Sequence, residues 1–231
     1  MNNDEEILIN PYTAIRLFAR IYRVIKHNIF KDRKFKTTRE AWIASMFLIS
    51  LEKHTNTDWW LTPVRRSGSP DFNCYAFTKR QTGGFDKPLI KLEVFEWREE
   101  DNETDFLKAL KKIKLDKIVD PQLTIVCYIR KTSLIPAAIK LNAELKKINP
   151  KVKDIWYLGD VSVDSSNWRV TQIYPNTLAI DLDYDEILYK REKQSFIRTY
   201  RGRSDKLEYE PTDKQIQLTP EFEIKILEKT E

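Results

Sequence analysis

Residues 123 to 129 read Leu-Thr-Ile-Val-Cys-Tyr-Ile, an apolar run interrupted only by Thr124. A strand with one face in water alternates apolar and polar residues. An unbroken run is buried on both faces, the pattern of a parallel strand inside a sheet. Helical periods stand on either side of it. Thr104 to Leu115 turns Phe106, Leu110 and Ile113 inward and a row of lysines outward, and a helix capped by Ser133 runs to Ile148, stopping before Asn149-Pro150. Ile155 to Leu158 is a further short strand. Alternation of this kind predicts an α/β fold with a central mixed β-sheet flanked by helices.

Upstream, Asn10 caps and Pro11 opens a first helix with apolar residues from Ala14 to Ile25 at helical spacing. A basic linker (Lys31, Arg33, Lys34, Lys36 and Arg39 against Asp32) leads to a second helix over Thr38 to Lys53. Its apolar stripe is Ile43, Ala44, Phe47, Leu48 and Leu51. Trp59 to Arg66, Phe72 to Lys79 and Leu89 to Trp97 then read as three extended segments, separated by turns at Ser67 to Pro70 and Gln81 to Pro88. Trp59-Trp60 reads as core and sheet edge. Beyond Gly159 the pattern becomes a mixed α+β C-terminal extension. It holds a hairpin around Pro175-Asn176, a moderately amphipathic helix over Asp185 to Tyr200, and an edge strand through Phe222, Ile224 and Ile226. The expected organisation is an N-terminal helix and basic linker (1–36), a core (37–160), and a C-terminal hairpin, basic helix and acidic tail packed on that core (161–231).

Composition narrows the function. Only 5 of 231 residues are glycine, and no GxGxxG or GxxxxGK[ST] occurs, which argues against a glycine-rich nucleotide fold. The two cysteines, Cys74 and Cys127, lie in apolar strand-like runs and read as buried thiols, a disulfide being the alternative. The two histidines, His27 and His54, are too widely separated for a zinc motif. No apolar run approaches the ~20 residues of a membrane helix, and the acidic start is unlike a secretory signal, so a cytoplasmic protein without membrane contact is expected. A net charge of +5 favours an acidic partner such as nucleic acid.

Three carboxylates carry the chemistry. Glu40 aligns with the apolar stripe of the second helix, Asp71 follows Pro70 at the start of an extended segment, and Glu93 sits inside the next segment between Leu92 and Val94. Clustered carboxylates are what a hard divalent cation requires. This order of elements, with Glu40, Pro70-Asp71 and Glu93 in those places, resembles the PD-(D/E)xK nuclease superfamily over Thr37 to Tyr157, about half the chain. The resemblance implies a restriction-endonuclease-like fold. It makes Glu40 the helix-borne acid, Asp71 the central metal ligand and Glu93 the second ligand, holding Mg²⁺ or Mn²⁺ for phosphodiester hydrolysis.

The chain departs from the family at one point. The position of the motif lysine holds Phe95, which neither donates a hydrogen bond nor carries charge. Three basic residues compete for the vacated role. Lys91, two residues before Glu93, lies on the same strand face and is favoured. Lys79 stands at the far end of the preceding segment, and Arg98 would complete a shifted Glu96-Trp97-Arg98 motif on the opposite face. Each acid also has a plainer reading. Glu40 completes a capping box with Thr37, Pro-Asp is a common turn dipeptide, and Glu93 suits a half-exposed strand.

Arg65 and Arg66 precede the Pro-Asp turn and would flank the metal site, where arginine pairs well with phosphate. Lys190, Arg191, Lys193, Arg198, Arg201, Arg203 and Lys206 form the densest positive run, with Phe196 and Tyr200 interleaved as stacking surfaces or as a helix core stripe. Lys108, Lys111, Lys112, Lys114 and Lys117 read as a solvated helix face. The function expected is a Mg²⁺-dependent DNA endonuclease acting in restriction, repair or a mobile element. The alternative is a catalytically degenerate nuclease-fold module that binds nucleic acid or a partner protein, and a third reading is an unrelated α/β interaction protein. Double-strand cleavage with one site per chain would suggest a homodimer, a partner subunit being the alternative.

Overall fold

The computed structural model describes residues 5–64, 68–79, 85–98, 100–130, 137–161, 166–191, 194–200, 210–212 and 215–227. In chain order the elements are β1 (Glu5–Ile9), α1 (Pro11–Ile25), α2 (Asn28–Lys31), α3 (Lys36–Thr55), β2 (Trp59–Pro63), β3 (Phe72–Ala76), β4 (Thr78–Lys79) and β5 (Phe85–Asp86). They continue as β6 (Leu89–Trp97), α4 (Phe106–Leu110) with a π turn (Lys111–Leu115), β7 (Asp120–Ile129), α5 (Ala138–Ile148), β8 (Val152–Asp160), β9 (Asn167–Tyr174) and β10 (Leu178–Asp183). The last are α6 (Tyr184–Tyr189), β11 (Phe196–Tyr200), β12 (Glu210–Pro211), β13 (Ile216–Leu218) and β14 (Ile224–Ile226). The chain is α/β, and it divides into two compact units. One comprises Met1–Pro63, Asn73–Leu89 and Leu188–Glu231; the other comprises Val64–Phe72 and Ile90–Ile187.

In the first unit β1 lies between β2 and β11, antiparallel to both, and β12 extends β11. The sequence reading did not anticipate β1, because only Ile7, Leu8 and Ile9 are apolar after an acidic start; all three are buried. It also expected a helix through Tyr200, whereas the helix α6 ends at Tyr189 and Phe196–Tyr200 is a strand. Leu8 and Ile197 face each other across that pair, and both are fully buried. Pairing with β1 from the far end of the chain overrides local helical periodicity there.

The α1 helix forms as its sequence predicts. The Asn10 side chain accepts from the Tyr12 amide and Pro11 occupies the first turn. Its Phe18 stacks on Trp42 of α3 with ring centroids 4.7 Å apart. Every residue of α3 from Thr38 to Ser50 is buried, so this is a central helix rather than one with a single apolar stripe. Arg39, counted with the basic linker, is among them; its guanidinium donates to the Ile29 and Asp32 carbonyls at 2.7 and 3.2 Å. Left-handed Asn56 ends the helix.

The second unit holds the mixed sheet. The strands β6, β7 and β8 are parallel neighbours, and β9 and β10 continue the sheet antiparallel. The run at 123–129 is the middle strand of the parallel set, as its unbroken hydrophobicity requires. One face carries Phe95, Trp97, Ile125, Cys127 and Ile155, packed with Phe106 and Leu110 of α4 and with Leu141 and Leu145 of α5. Trp97 also donates its indole N–H to the Glu103 carbonyl at 3.1 Å. Both cysteines are free and buried, and burial pushes their thiols well above the ordinary value. Among the described residues no helix is long and apolar enough to cross a membrane.

Asp154 sits on β8 opposite Thr124 of β7. Burial pushes its carboxyl above the ordinary value of 3.8, and hydrogen bonds from Thr124 and from the Trp156 indole, 3.0 Å away, only partly counter it. The folded chain therefore holds this proton more tightly than the unfolded chain. The stabilising difference is complete below about pH 3.8 and is lost as pH rises through the raised value. Asp154→Asn is expected to be more stable than the parent protein in urea unfolding at pH 7, with the gap closing near pH 3.5. An equal gap at both pH values would contradict the assignment.

Candidate functional site

The site is built at one stretch of β6. Strand alternation places Lys91, Glu93, Phe95 and Trp97 on one face, and the parallel neighbour sets Glu93 against Ile125 and Phe95 against Cys127. Phe95 and Trp97 sink into the apolar cluster, with Phe106 at ring-centroid distances of 6.5 and 5.5 Å. Glu93 is the next residue down that face and is only 6% exposed. A carboxylate so placed must find a partner or lose its charge.

Its partner is Lys114. The ammonium forms an ion pair with Glu93 Oε1, and the two side chains are 16% and 8% exposed. The sequence reading set Lys114 on a solvated face and Ile113 in the core. The structure reverses them: Ile113 is 42% exposed and Lys114 turns inward. The cause is the π turn at Lys111–Leu115, sealed by the Asp116 amide donating five residues back to the Lys111 carbonyl at 2.9 Å. Five-residue closure rotates the helix surface relative to 3.6 periodicity, and such turns recur at functional sites.

Asp71 is tied to the same strand. Its amide donates to the Leu92 carbonyl at 3.0 Å, and its Oδ2 accepts from the Val94 amide at 2.8 Å. Asp71 thus grips the two peptide groups that flank Glu93. The second oxygen of Glu93, Oε2, is buried with no hydrogen-bond partner among the described residues. A buried orphan acceptor is the kind of atom that a cation would satisfy.

The other sequence candidates have different surroundings. Lys91 shares the face of Glu93, as alternation requires, but its ammonium is 3.0 Å from Asp120 Oδ2. The Asp120 carboxyl is held below the ordinary range by the Gln122 amide and then by Lys91. Arg98 lies 3.5 Å from Glu96 Oε2, so the acid and base of the shifted motif contact each other. Lys79 belongs to the short strand β4 of the first unit. Glu40 is buried in α3 of that unit and lies 3.2 Å from Lys36, one turn earlier.

Among the basic residues, Lys190 donates to Glu52 Oε1 and to the Tyr12 hydroxyl, each at 2.7 Å. Burial lowers its pKa, but the Glu52 and Tyr12 contacts outweigh this and leave it raised. Lys190 therefore links the chain after α6 to α1 and α3. Arg191 is exposed, and Arg198 lies on β11 opposite Ile7 and Glu210. Arg65, Arg66, Arg201 and Arg203 lie outside the described residues.

A cation at Asp71 and Glu93 would draw on few protein ligands. Among the described residues no group of three or more His, Cys, Asp and Glu side chains is gathered for a metal. Mg²⁺ is nevertheless commonly held by one or two carboxylates, with water and substrate phosphate completing its shell. The donor set, hard oxygen with one orphan carboxylate atom, fits that cation and does not fit zinc.

A lysine at position 95 would be buried in an apolar cluster, because Phe95 packs against Phe106. Phe95→Lys is expected to cost at least about 3 kcal/mol in urea unfolding through lost packing and a buried charge. A stable Phe95→Lys protein with unchanged midpoint would contradict this placement. No family model, curated protein or solved structure matches the chain.

Proposed function

We propose that this chain is a Mg²⁺-dependent nuclease with a restriction-endonuclease-like arrangement, in which Lys114 takes the place of the missing motif lysine. The observation that carries the reading is the Lys114–Glu93 ion pair beside an orphaned Glu93 Oε2. The family pattern needs an ammonium next to the strand glutamate, and here a helical turn delivers one from outside the strand.

The roles follow from the contacts. Asp71, held by the Val94 amide, presents a carboxylate at the edge of β6. Lys114 fixes Glu93 through Oε1, and the buried Oε2, without a partner among the described residues, is the oxygen a cation would satisfy. A divalent cation bound by these carboxylates would acidify a water and neutralise charge on the phosphate. Lys114 adds a positive group near the position where negative charge grows during attack on phosphorus, an interaction that strengthens toward the transition state. Phe95, Phe106 and Trp97 form an apolar cluster on the strand face that carries Glu93, and apolar surroundings strengthen an ion pair. This proposal rests on residues of one unit, and DNA is the substrate class that the resemblance and the net charge of +5 favour. A second reading is a fold that binds nucleic acid without cutting.

Cleavage of supercoiled and single-stranded DNA in Mg²⁺, Mn²⁺ or EDTA separates the two. Asp71→Asn and Glu93→Gln should abolish metal-dependent nicking. Lys114→Met should slow it about 100- to 1,000-fold, the usual cost of losing one charge-stabilising donor. Lys91→Met, which breaks only the Asp120 pair, should stay within a few-fold of the parent protein. Melting curves confirm that each variant is folded. Nicking retained by folded Asp71→Asn protein would overturn the proposal, and DNA retardation without nicking would favour the non-cutting module.

A further inference from the structure

A cleft of about 600 Å³ opens in the first unit, on the face of α1 that carries Arg16, Arg20 and Arg23. These residues stand at i, i+4 and i+7, so they form one row along the helix. Its opposite side is formed by the end of α6, the start of β11 and β13, with Tyr189, Phe196 and Gln217 among the lining residues. None of the described residues that line it is acidic. Arg20 and Arg23 are exposed and make no ion pair among the described residues. Arg16 is held in place by its 3.1 Å bond to the Lys190 carbonyl. Tyr189, at the rim, is 76% exposed, an unusual setting for a large aromatic ring.

Arg20 and Arg23, exposed and without an ion pair among the described residues, stand beside an exposed aromatic ring, a pairing of charge and stacking surface. We infer that this cleft binds a single-stranded nucleic acid segment, with its phosphates on Arg16, Arg20 and Arg23 and a base stacked on Tyr189. Arginine forks engage phosphate oxygens in pairs, and base stacking on an aromatic ring tolerates any sequence. The helical rise spreads Arg16 and Arg23 over about 10 Å along the axis, which suits successive phosphates of a strand better than one isolated phosphate. The volume lies in the range of ordinary ligand sites. The binding holds whether or not the chain cuts, since it uses none of Asp71, Glu93 or Lys114.

The test is fluorescence anisotropy of a labelled twelve-residue thymidine oligonucleotide with the whole chain in EDTA, across a salt series. The parent protein should bind and lose affinity as salt rises. Arg20→Gln/Arg23→Gln, both exposed and remote from the core, should bind at least about tenfold more weakly, with a salt slope shallower by about 1.4. Tyr189→Ala should weaken binding about 5- to 100-fold with the slope unchanged. A matching loss in the conservative Arg20→Lys/Arg23→Lys protein would not be expected, because charge is kept. The inference is overturned by no binding to the parent protein, by unchanged affinity and slope in the Arg20→Gln/Arg23→Gln protein, or by ATP displacing the oligonucleotide at equal concentration, which would make the cleft a nucleotide pocket.

Discussion

The second unit depends on how it accommodates one charge, the Glu93 carboxylate in the interior of a strand. A lone buried carboxylate would neutralise or unfold its surroundings. Lys114 relieves it from outside the strand, and the π turn at Lys111–Leu115 is what brings that ammonium to the inner face. Replacing a buried pair by apolar residues commonly costs little or even stabilises, so the pair is not explained by stability alone. A π turn, a buried ion pair and a carboxylate oxygen without a partner among the described residues meet at one place, and the proposed cation site is built on that coincidence.

The fold around that site follows from simple patterning. The unbroken apolar run of β7 needs neighbours on both sides, and β6 and β8 supply them in parallel. The inner-face residues of the three strands and the apolar sides of α4 and α5 then close a core, which along β6 stops at Phe95 and gives way to the charged Glu93. The Glu93–Lys114 pair lies at that boundary. The first unit is organised differently, around the buried helix α3 and the pairing of β1 with β11, so it joins the two ends of the described chain in one sheet.

What the sequence made legible follows period and locality. The strand β7, the β9–β10 hairpin and the α1 cap were readable because each is specified by adjacent residues. The helix α5 and the bounds of β6 were readable for the same reason. The strand β11 was read as helix, since its partner β1 is almost two hundred residues away and its own stretch fits a helical stripe. The strand β1 was missed for the same reason. At the candidate site, Asp71 and Glu93 were singled out from their positions, and the structure joins Asp71 to the two peptide groups that flank Glu93. Lys114 was not, because a helix of regular period would have pointed it to water. Only a break in period, Ile113 and Lys114 exchanging faces, betrays it, and no residue in Lys111–Leu115 announces a π turn. Nothing in the sequence singles out Arg20 and Arg23, because the segments that line the cleft opposite them come from the far end of the chain.

The account stands on Asp71 and Glu93 acting together as a cation site, and direct titration with Mn²⁺ tests that most simply. Isothermal calorimetry, or the loss of free-ion paramagnetic signal, on the parent protein should reveal one saturable site. That site should vanish in Glu93→Gln and in Asp71→Asn while persisting in Lys91→Ala. A Mn²⁺ isotherm that is flat for the parent protein, or that survives unchanged in folded Glu93→Gln protein, would contradict it.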